Sequence, residues 1–410
     1  MKCLRILLSA YACRSDRGSE PGIGWNWAIE LSRLGHDVTV ITRNDNRESI
    51  EKGLMAANLP NLHFFYWDLP SWMQRYRTAG EHLYYRVWQF GAYRWARSRI
   101  RNYPFDLIHH ITYGSLRDAS FMGLLGVPFI FGPAGGGEST PRTLRKEFMF
   151  HARLSEALRG LSNRAIRFDP LLRLTFSSAR LIAVTTNDSK ELLPRKYQCK
   201  AVIQQAIGTN SPSALQVVAP RSANRSMRVI FVARLIHWKG GHLAIRAVAQ
   251  ARREHPDTTL TICGDGPESD RLHSLAEELG IANVVNWLGW LPRERVLQMY
   301  SDHDVLLFPS LHDSGGLAVL EAMTEGLPIV CLDLGGPGTI VNDDCGRVIS
   351  TRNADESIVV NRLASAISEL ASSPALLTQL QTGARKEAHR YSWKRIVTQL
   401  YSTIEQVTES

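Results

Sequence analysis

Residues 304–326, DVLLFPSLHDSGGLAVLEAMTEG, combine a strand, a glycine-bearing loop and a helix that carries a carboxylate. Asp313 and Glu321 are eight positions apart across this turn. Gly315 and Gly316 would let an anion approach the first helix amides, where unpaired N–H groups and the helix dipole favour negative charge. Glu321 would then accept hydrogen bonds from hydroxyl groups of the same ligand. The pattern predicts a site for a phosphate joined to a sugar, and it requires a Glu321 carboxylate that a ligand can reach.

Three more loops of the second half follow apolar strands, so we expect them at the same edge of a parallel sheet. Arg234 and Lys239 follow the strand RVIFVA, and a guanidinium fork with an ammonium group suits a diphosphate. Gly264 and Gly266 form a tight turn in TICGDGPE, directly before a helix. This turn is again compatible with an anion.

The remaining loop, NWLGWLP, contains Leu288 and Gly289, which could present backbone groups to a flat base. Each of these features has a simpler interpretation. A glycine turn between a strand and a helix usually binds nothing, and a cation at a strand end is usually a solvated charge. Only the combination of four such loops predicts binding of a phosphorylated ligand.

The first half offers weaker signals. Gly18 lies in a glycine-rich turn after the first strand, but the turn is neither G-x-G-x-x-G nor a Walker loop. His109 and His110 end the strand pattern DLIHHIT and must point to opposite faces of the sheet. We expect one in the core and the other towards a ligand, and the residues alone leave open which is which. A lone histidine is more often structural than catalytic.

Another glycine-rich loop follows the strand pattern VPFIFGP. The segment FGPAGGGEST contains Gly136, Gly137 and Glu138. It is either a mobile clamp on a substrate or a long turn.

The composition excludes disordered and fibrous proteins. The 410 residues are 44% hydrophobic and 21% charged, which is ordinary for a soluble globular chain with room for two domains. The six cysteines show no metal-ligand spacing, and we expect them to be reduced core residues. The D-x-D element at residues 302–304 lies where a helix gives way to a buried strand. We therefore expect no metal and no other cofactor.

Strand patterns alternate with helical patterns in both halves, seven strands in the first and six in the second. This alternation predicts an α/β protein with two Rossmann-like parallel-sheet domains that face each other across a cleft. The boundary is expected in residues 208–225, where the periodicity lapses. Pro374 is expected to separate two helices near the end of the chain.

Charge is unevenly distributed. Residues 1–205 carry 29 Lys and Arg against 17 Asp and Glu, whereas residues 206–410 carry 19 against 22. The excess concentrates in residues 71–180, for example in RYRTAGEHLYYRVWQFGAYRWARSRIR. This stretch is either a solvated helix face or a surface for an anionic partner such as lipid headgroups, phosphates or nucleic acid. The start, MKCLRILLSAYAC, is typical of a first buried strand rather than a signal peptide, and we expect a cytoplasmic protein without a transmembrane helix.

With these residues assembled, the chain resembles the retaining glycosyltransferases of family 4, which have the GT-B fold and use nucleotide-sugar donors. The resemblance covers nearly the whole chain. Its motifs are GHDVTVITR, FVARLIHWKGG, ICGDGPE, NWLGWL, LLFPS with GGLAVLEAM, GLPIV and SWKRIVTQLY.

The resemblance implies a role for each site residue. Arg234 and Lys239 would neutralise the donor diphosphate, and Glu321 would bind the ribose. Asp313 would take the first place of the family's E-x7-E pair, beside the transferred sugar, and His110 or His109 the place of the histidine near that sugar. The other implied donor-binding residues are Gly18, Gly264, Gly266, Leu288, Gly289, Ser314, Gly315, Gly316 and Leu317.

The resemblance also implies the domain roles. Residues 1–207 would form an acceptor-side domain containing Gly136, Gly137 and Glu138, residues 226–390 the nucleotide-sugar domain, and residues 391–410 a helix returning to the first domain. Three positions depart from the family pattern. Asp313 replaces a glutamate, Ala233 stands where glycine is frequent, and the histidine strand reads HHI instead of H-x-H.

The expected partners are a nucleotide-sugar donor and an unidentified acceptor, either lipid-linked or a saccharide. The basic, aromatic-rich stretch adds an anionic membrane surface, with the protein peripheral on its inner face. No nucleic acid is expected. Two alternatives remain at this level: a sugar-nucleotide epimerase of similar fold, and a non-catalytic module that binds nucleotide-sugars or polyanions.

Overall fold

The computed structural model describes residues 3–75, 80–210 and 226–409, and the side chains through residue 404. The chain divides into two compact units. The first consists of Met1–Gly137, Leu161–Gly208 and Trp393–Ser410, and the second of Glu138–Gly160 and Thr209–Ser392. Of the predicted linker 208–225, residues 211–225 lie outside the described residues.

The first unit is built on a seven-stranded parallel sheet with the order β3-β2-β1-β4-β5-β6-β7. Its strands are β1 (Arg5–Ser9), β2 (Asp37–Thr42), β3 (Leu62–Tyr66), β4 (Leu107–His110), β5 (Phe129–Ala134), β6 (Leu181–Val184) and β7 (Ala201–Ile203). Its helices are α1 (Ser19–Arg33), α2 (Arg47–Ala57), α3 (Ser71–Gln74), α4 (Glu81–Arg99), the end of α5 (Phe150–Ala165), α6 (Pro170–Ser178), α7 (Asn187–Leu192) and the last helix of the chain, α15 (Trp393–Glu409).

Alternating side chains of this sheet feed two apolar layers, as the period of a strand requires. In β1, Ile6 and Leu8 join the layer that contains Trp27, whereas Leu7 joins the layer that contains Trp88. The helix α15 packs on the first of these layers, and its Tyr401 is buried there. The last helix therefore groups with the first unit although it ends the chain.

The second unit has a six-stranded parallel sheet with the order β10-β9-β8-β11-β12-β13. Its strands are β8 (Arg228–Val232), β9 (Thr259–Cys263), β10 (Val285–Gly289), β11 (Val305–Phe308), β12 (Ile329–Leu332) and β13 (Gly346–Ile349). Its helices are the beginning of α5, α8 (Gly241–Ala251), α9 (Ser269–Glu278), α10 (Arg293–Ser301), α11 (Leu317–Thr324), α12 (Gly335–Ile340), α13 (Glu356–Ser372) and α14 (Pro374–Ala388).

The predicted fold class is confirmed: each predicted strand pattern overlaps one observed strand, and both sheets are parallel and Rossmann-like. Pro374 does separate two helices. One boundary differs from the prediction, because residues 138–160 group with the second unit instead of the first. The reason is packing. Leu144, Phe148 and Ala152 are buried in the core of the second unit.

The aromatic stretch that the sequence suggested as a membrane surface is largely core. In α4, Tyr85, Trp88 and Ala92 are fully buried, at the spacing of one helix face. Residues 76–79 of the stretch lie outside the described residues. The prediction of an aromatic surface on α4 is therefore wrong for most of its rings, because a stripe of period 3.6 faces the apolar layer.

Two further expectations meet the structure here. Cys3 and Cys199 are exposed, so the prediction that all six cysteines are core residues is wrong for these two. The other four are buried. Among the helices in the described ranges, we find none whose length and apolar content would let it span a bilayer.

Candidate functional site

The loop between β8 and α8 carries the two predicted cations. The Arg234 side chain is exposed and has no hydrogen-bond or ion-pair partner among the described residues. Lys239 lies at the end of a short 3-10 turn, His237–Lys239, and its ammonium group pairs with the carboxylate of Asp313. One cation is thus held in place, and the other is open to an anion from solvent.

Gly264 and Gly266 are explained by close backbone contacts with this loop. A Cβ at Gly264 would lie 1.8 Å from the carbonyl oxygen of Ala233, and one at Gly266 would lie 2.4 Å from that of Leu235. The amide of Leu235 donates to the carbonyl of Asp265 at 2.9 Å. Because the two glycines have no side chains, the turn can pack directly against the loop that carries Arg234 and hold it by backbone contacts.

Asp313 accepts three hydrogen bonds in the loop between β11 and α11. Its Oδ1 accepts from the amides of Gly315 at 3.1 Å and Gly316 at 3.0 Å, and Lys239 donates to its Oδ2. Burial alone would raise the pKa of this carboxyl, but Lys239 and the two amides hold it below its ordinary value. Asp313 is therefore ionised at neutral pH and fixes the geometry of the loop.

This arrangement differs from the simple expectation for the glycine amides. Gly315 and Gly316 donate to Asp313, so the carboxylate already takes the place foreseen for a ligand anion at these two amides. The next amides, of Leu317 and Ala318, begin α11 and have no acceptor within the described residues. The amides that remain for an anion thus lie one step further along the helix.

Glu321 departs from the expectation of an accessible carboxylate. Its side chain is only 10% exposed, and its Oε1 accepts a hydrogen bond of 2.5 Å from Nε of Arg293. Burial raises the pKa of Glu321, while Arg293 opposes that shift. Arg293, the first residue of α10, is half exposed and covers the carboxylate. A ligand hydroxyl would therefore reach Glu321 only if Arg293 moved aside.

Leu288 and Gly289 end β10 with an irregularity. Trp287 pairs with Ile262 and Gly289 with Cys263, so that Leu288 is an extra residue in a β-bulge. A bulged residue leaves the regular ladder, and its backbone groups become available to other partners. Contact of this backbone with a flat group remains a prediction.

Residues 138–160 contact the two residues that flank Asp313 in the sequence. Ser314 donates to Oε2 of Glu138 at 2.6 Å, and Nε2 of His312 lies 3.0 Å from Oε1 of Glu156. The His312 ring stacks on Trp238, with 5.0 Å between the ring centroids. Glu138 is buried and hydrogen-bonded, which favours the second of the two alternatives, a long turn, over a mobile clamp at this residue.

Glu156 is almost fully buried and remains ionised. Burial would raise its pKa, but the contact with His312 and the amide of Thr140, which donates to Oε2 at 3.2 Å, lower the pKa to about 2. A carboxylate thus orients the histidine that immediately precedes Asp313. The residues flanking Asp313 on both sides are held by this one segment.

In the first unit, His109 and His110 point to opposite layers as predicted, but neither is accessible. Nε2 of His109 lies 2.7 Å from the carbonyl oxygen of Gly132, and its Nδ1 lies 3.1 Å from the hydroxyl of Tyr401. Nε2 of His110 lies 3.0 Å from the hydroxyl of Tyr85. Burial lowers the pKa of His109 to about 4 and that of His110 to about 3. Both rings are neutral at pH 7, and the expectation that one of them faces a ligand is not met.

The three remaining predicted positions also lie in the first unit. Gly18 is exposed and caps α1 with extended backbone. The carbonyl of Gly136 accepts from Arg117 at 2.6 Å, and the amide of Gly137 donates to Ser189 at 3.1 Å. The last two glycines are thus packed positions rather than a free loop.

Sequence reasoning missed three residues of the second unit: Arg293, His312 and Glu156. Arg293 follows a proline at a helix start, and an arginine at such a position does not by itself indicate a functional site. His312 directly precedes Asp313, which was an available signal. Glu156 had none, because its partner is 156 positions away in the sequence.

Asp304, the last residue of the D-x-D element, is engaged within the second unit. Asp304 pairs with Arg228 and accepts from its backbone amide at 2.7 Å. Nowhere in the described ranges do three His, Cys, Asp or Glu side chains group as metal ligands would.

Two family models match consecutive parts of the chain. The model described as Glycosyltransferase Family 4 matches residues 25–210, and the one described as Glycosyl transferases group 1 matches residues 218–387. The first half of the chain thus matches the family 4 glycosyltransferases, and the second half matches the group 1 glycosyl transferases. The second model spans all four loops described above, and the first spans β2 to β7.

The curated relatives of this chain carry different activities in their names. The chain is 32% identical over 179 residues to the D-inositol 3-phosphate glycosyltransferase of Corynebacterium aurimucosum, covering 42% of this chain and 41% of that one. It is 30% identical over 182 residues to the glycogen synthase of Mycobacterium tuberculosis, covering 44% and 42%. The chain thus spans about two fifths of the length of these curated relatives.

Solved structures share the fold over almost the full length of this chain. Anabaena HepE in complex with UDP and glucose has a TM-score of 0.60 at 16% identity, covering 98% of this chain and 100% of that one. Sucrose-phosphate synthase from Thermosynechococcus elongatus has a TM-score of 0.60 at 18% identity, covering 99% of both. At such identities the likeness establishes the GT-B fold.

Proposed function

We propose that the protein transfers a sugar from a nucleoside diphosphate donor to an acceptor hydroxyl, with retention of the anomeric configuration and without a metal ion. The observation that carries the proposal is the charged loop of the second unit. Arg234 is exposed and unpaired among the described residues, and Lys239 is anchored beside the start of α11. The match of residues 218–387 to the group 1 glycosyl transferases supports this use of the two cations.

The chemistry follows from the charge that develops during the reaction. As the bond between the anomeric carbon and the phosphate oxygen breaks, negative charge grows on the leaving diphosphate. Arg234, Lys239 and the first amides of α11 would stabilise that charge more in the transition state than in the ground state. In front-face transfer the leaving phosphate takes the acceptor proton, so that no enzymatic nucleophile is required.

Asp313 would act through its neighbours. Its two carboxylate oxygens accept from Lys239 and from two amides of its own loop. Since an ammonium group has three donors, Lys239 can hold Asp313 and still donate to a phosphate oxygen. We therefore assign Asp313 a positioning role, which differs from the direct sugar contact that the resemblance implied for it.

A nucleotide-sugar is the expected donor because a structural neighbour, HepE, was solved with UDP and glucose. The named relatives are a glycosyltransferase and a synthase, which does not favour the epimerase or the non-catalytic module. We propose an acceptor that is lipid-linked or a saccharide, a cytoplasmic location peripheral to an anionic membrane, and no nucleic-acid partner.

Product analysis tests the proposal. The protein is incubated with UDP-, GDP- and ADP-sugars, without and with saccharide or lipid-linked acceptors, and NMR follows the anomeric signals. We expect slow donor hydrolysis without acceptor, faster release of the nucleoside diphosphate with the right acceptor, and a product with the donor's anomeric configuration. An altered sugar formed from donor alone would indicate the epimerase, and the absence of any turnover across the panel would contradict catalysis.

A further inference from the structure

The first half of α5 exposes hydrocarbon to solvent. Phe150 is 82% exposed, Leu154 50% and Leu158 58%, and Met149, just before the helix, is 52% exposed. Positions 150, 154 and 158 recur every four residues and therefore share one side of the helix. All four residues belong to the second unit. We call them the apolar face of α5.

The opposite side of the same helix is fixed to the second unit. Ala152 and Glu156 are buried, and Glu156 is tied to His312 and to the amide of Thr140. Phe148 anchors the preceding turn against His237, with 4.9 Å between ring centroids. The helix thus buries a carboxylate and exposes a phenylalanine and two leucines, the reverse of an ordinary surface helix. A small rotation cannot hide the apolar face, because the buried contacts of Glu156 set its orientation.

The charges around this face have one sign. Arg142, Lys146 and Arg153 are exposed. The three acidic side chains of the segment are engaged elsewhere in the second unit, and these are Glu138 with Ser314, Glu147 with Arg246, and Glu156 with His312. Between residues 138 and 160, solvent therefore meets cations and hydrocarbon together.

A surface that combines exposed apolar side chains with uncompensated cations matches an anionic lipid bilayer. Hydrocarbon enters the boundary between headgroups and acyl chains, while Arg and Lys meet the phosphates. A polyanion in solution would use the cations and leave the apolar side chains in water. Apolar exposure of this kind in a soluble chain marks an interaction site.

We propose that the apolar face of α5 docks the protein on membranes rich in anionic lipid. The inference deepens the membrane association proposed above and moves it from α4 to α5. It does not depend on which sugar is transferred, or on whether transfer occurs.

Sedimentation with vesicles tests this docking on the full-length chain. Vesicles of phosphatidylcholine are compared with vesicles of phosphatidylcholine and phosphatidylglycerol at low and high salt. The test variant is F150S/L154S, and the matched control is L83S/F90S, which removes two exposed apolar side chains from α4. We expect the wild type and the α4 control to bind the anionic vesicles, more weakly at high salt, and F150S/L154S to lose at least about tenfold in affinity.

Three results would overturn the proposal: no binding by the wild type, equal binding by F150S/L154S, or loss of binding only in the α4 control. Light scattering provides a fourth contrary result. If the wild type is a dimer and F150S/L154S is a monomer, this face is a contact between two copies of the chain. Thermal stabilisation by UDP is measured on each variant to monitor folding. Retained stabilisation in a non-binding variant separates loss of docking from loss of the nucleotide site.

Discussion

The loop cations of the second unit and the histidines of the first unit were both predicted as site residues, yet the structure treats them oppositely. Arg234 is exposed without a partner in the described part of the chain, and Lys239 shares its charge with a fixed carboxylate. His109 and His110 are buried inside a strand and hydrogen-bonded within the core. Residues on the loop after a strand can meet a ligand, whereas residues within a central strand are claimed by the packing on either side of it.

The largest expected effect tests the cation side of this comparison. Arg234→Ala and Lys239→Ala should each lower kcat/KM at least about tenfold, or ~1.4 kcal/mol of transition-state stabilisation. Each substitution removes a positive charge of the protein that would stabilise the negative charge growing on the leaving diphosphate. The double variant should lose roughly a hundredfold if the effects add. Steady-state kinetics measures this, with Arg253→Ala as the control, because Arg253 is an exposed arginine just after the end of α8. Unchanged turnover in both single variants would reject their role.

Glu356 is a buried ionisable group of the second unit. In contrast to the loop cations Arg234 and Lys239, it should affect stability and not turnover. Glu356 is buried, and burial together with nearby Glu147 raises the pKa of Glu356 to about 7. Arg246, Arg271 and His242 face the same group.

The folded-state pKa lies above the ordinary value of 4.5, so this stabilisation is complete below pH 4.5 and is lost as the pH rises through 7. Glu356→Gln cannot ionise. The difference between the unfolding free energy of the variant and that of the wild type should therefore shift by roughly 2 kcal/mol in favour of the variant from pH 5 to pH 8. Denaturant titrations at the two pH values measure this gain, and parallel pH profiles of both proteins would contradict it.

Asp313 provides a finer test of the second unit. Asp313→Asn keeps an acceptor for the two glycine amides but presents an NH2 group or a neutral oxygen to Lys239. We expect kcat to fall about tenfold with little change in melting temperature, because the ammonium group loses its anchor. Asp313→Glu restores the residue frequent in the family and is the matched control for charge. An Asp313→Asn enzyme with wild-type kcat would exclude the positioning role.

The smallest expected effect concerns the histidines. His110→Phe keeps a ring against Phe131 and loses the contact with the Tyr85 hydroxyl. The unfolding free energy should fall by about 1–2 kcal/mol, since the tyrosine hydroxyl loses its buried ring-nitrogen partner, and kcat should change less than about threefold. A loss of kcat near a hundredfold at unchanged stability would instead support the catalytic histidine that the resemblance implied.

The strands could be predicted because their signal is local. Runs such as RVIFVA and VLLFPS predict buried parallel strands, and the loops that follow these two runs carry Arg234, Lys239 and Asp313. The period of α4 is equally local, but the spacing of its aromatic residues fits a buried stripe as well as the surface that the sequence suggests.

What the sequence could not reveal depends on contacts between distant residues. Residues 138–160 look like a continuation of the first half, and only the pairing of Glu156 with His312 and of Glu138 with Ser314 assigns them to the second unit. The hydrogen bond from Arg293 to Glu321 could not be predicted either, because each of the two residues alone fits several roles. The exposed face of α5 could not be distinguished from a buried one, since a helix shows its period but not which side faces the core.

The central claim is that the cations of the second unit bind a nucleoside diphosphate. Thermal unfolding of the wild type and of the Arg234→Ala/Lys239→Ala variant is measured with UDP, GDP and ADP, because a ligand that binds only the folded state raises its stability. We predict that at least one nucleotide raises the melting temperature of the wild type and that the variant no longer responds to it. A wild type that responds to none of the three, or a variant that responds as strongly as the wild type, would contradict the account.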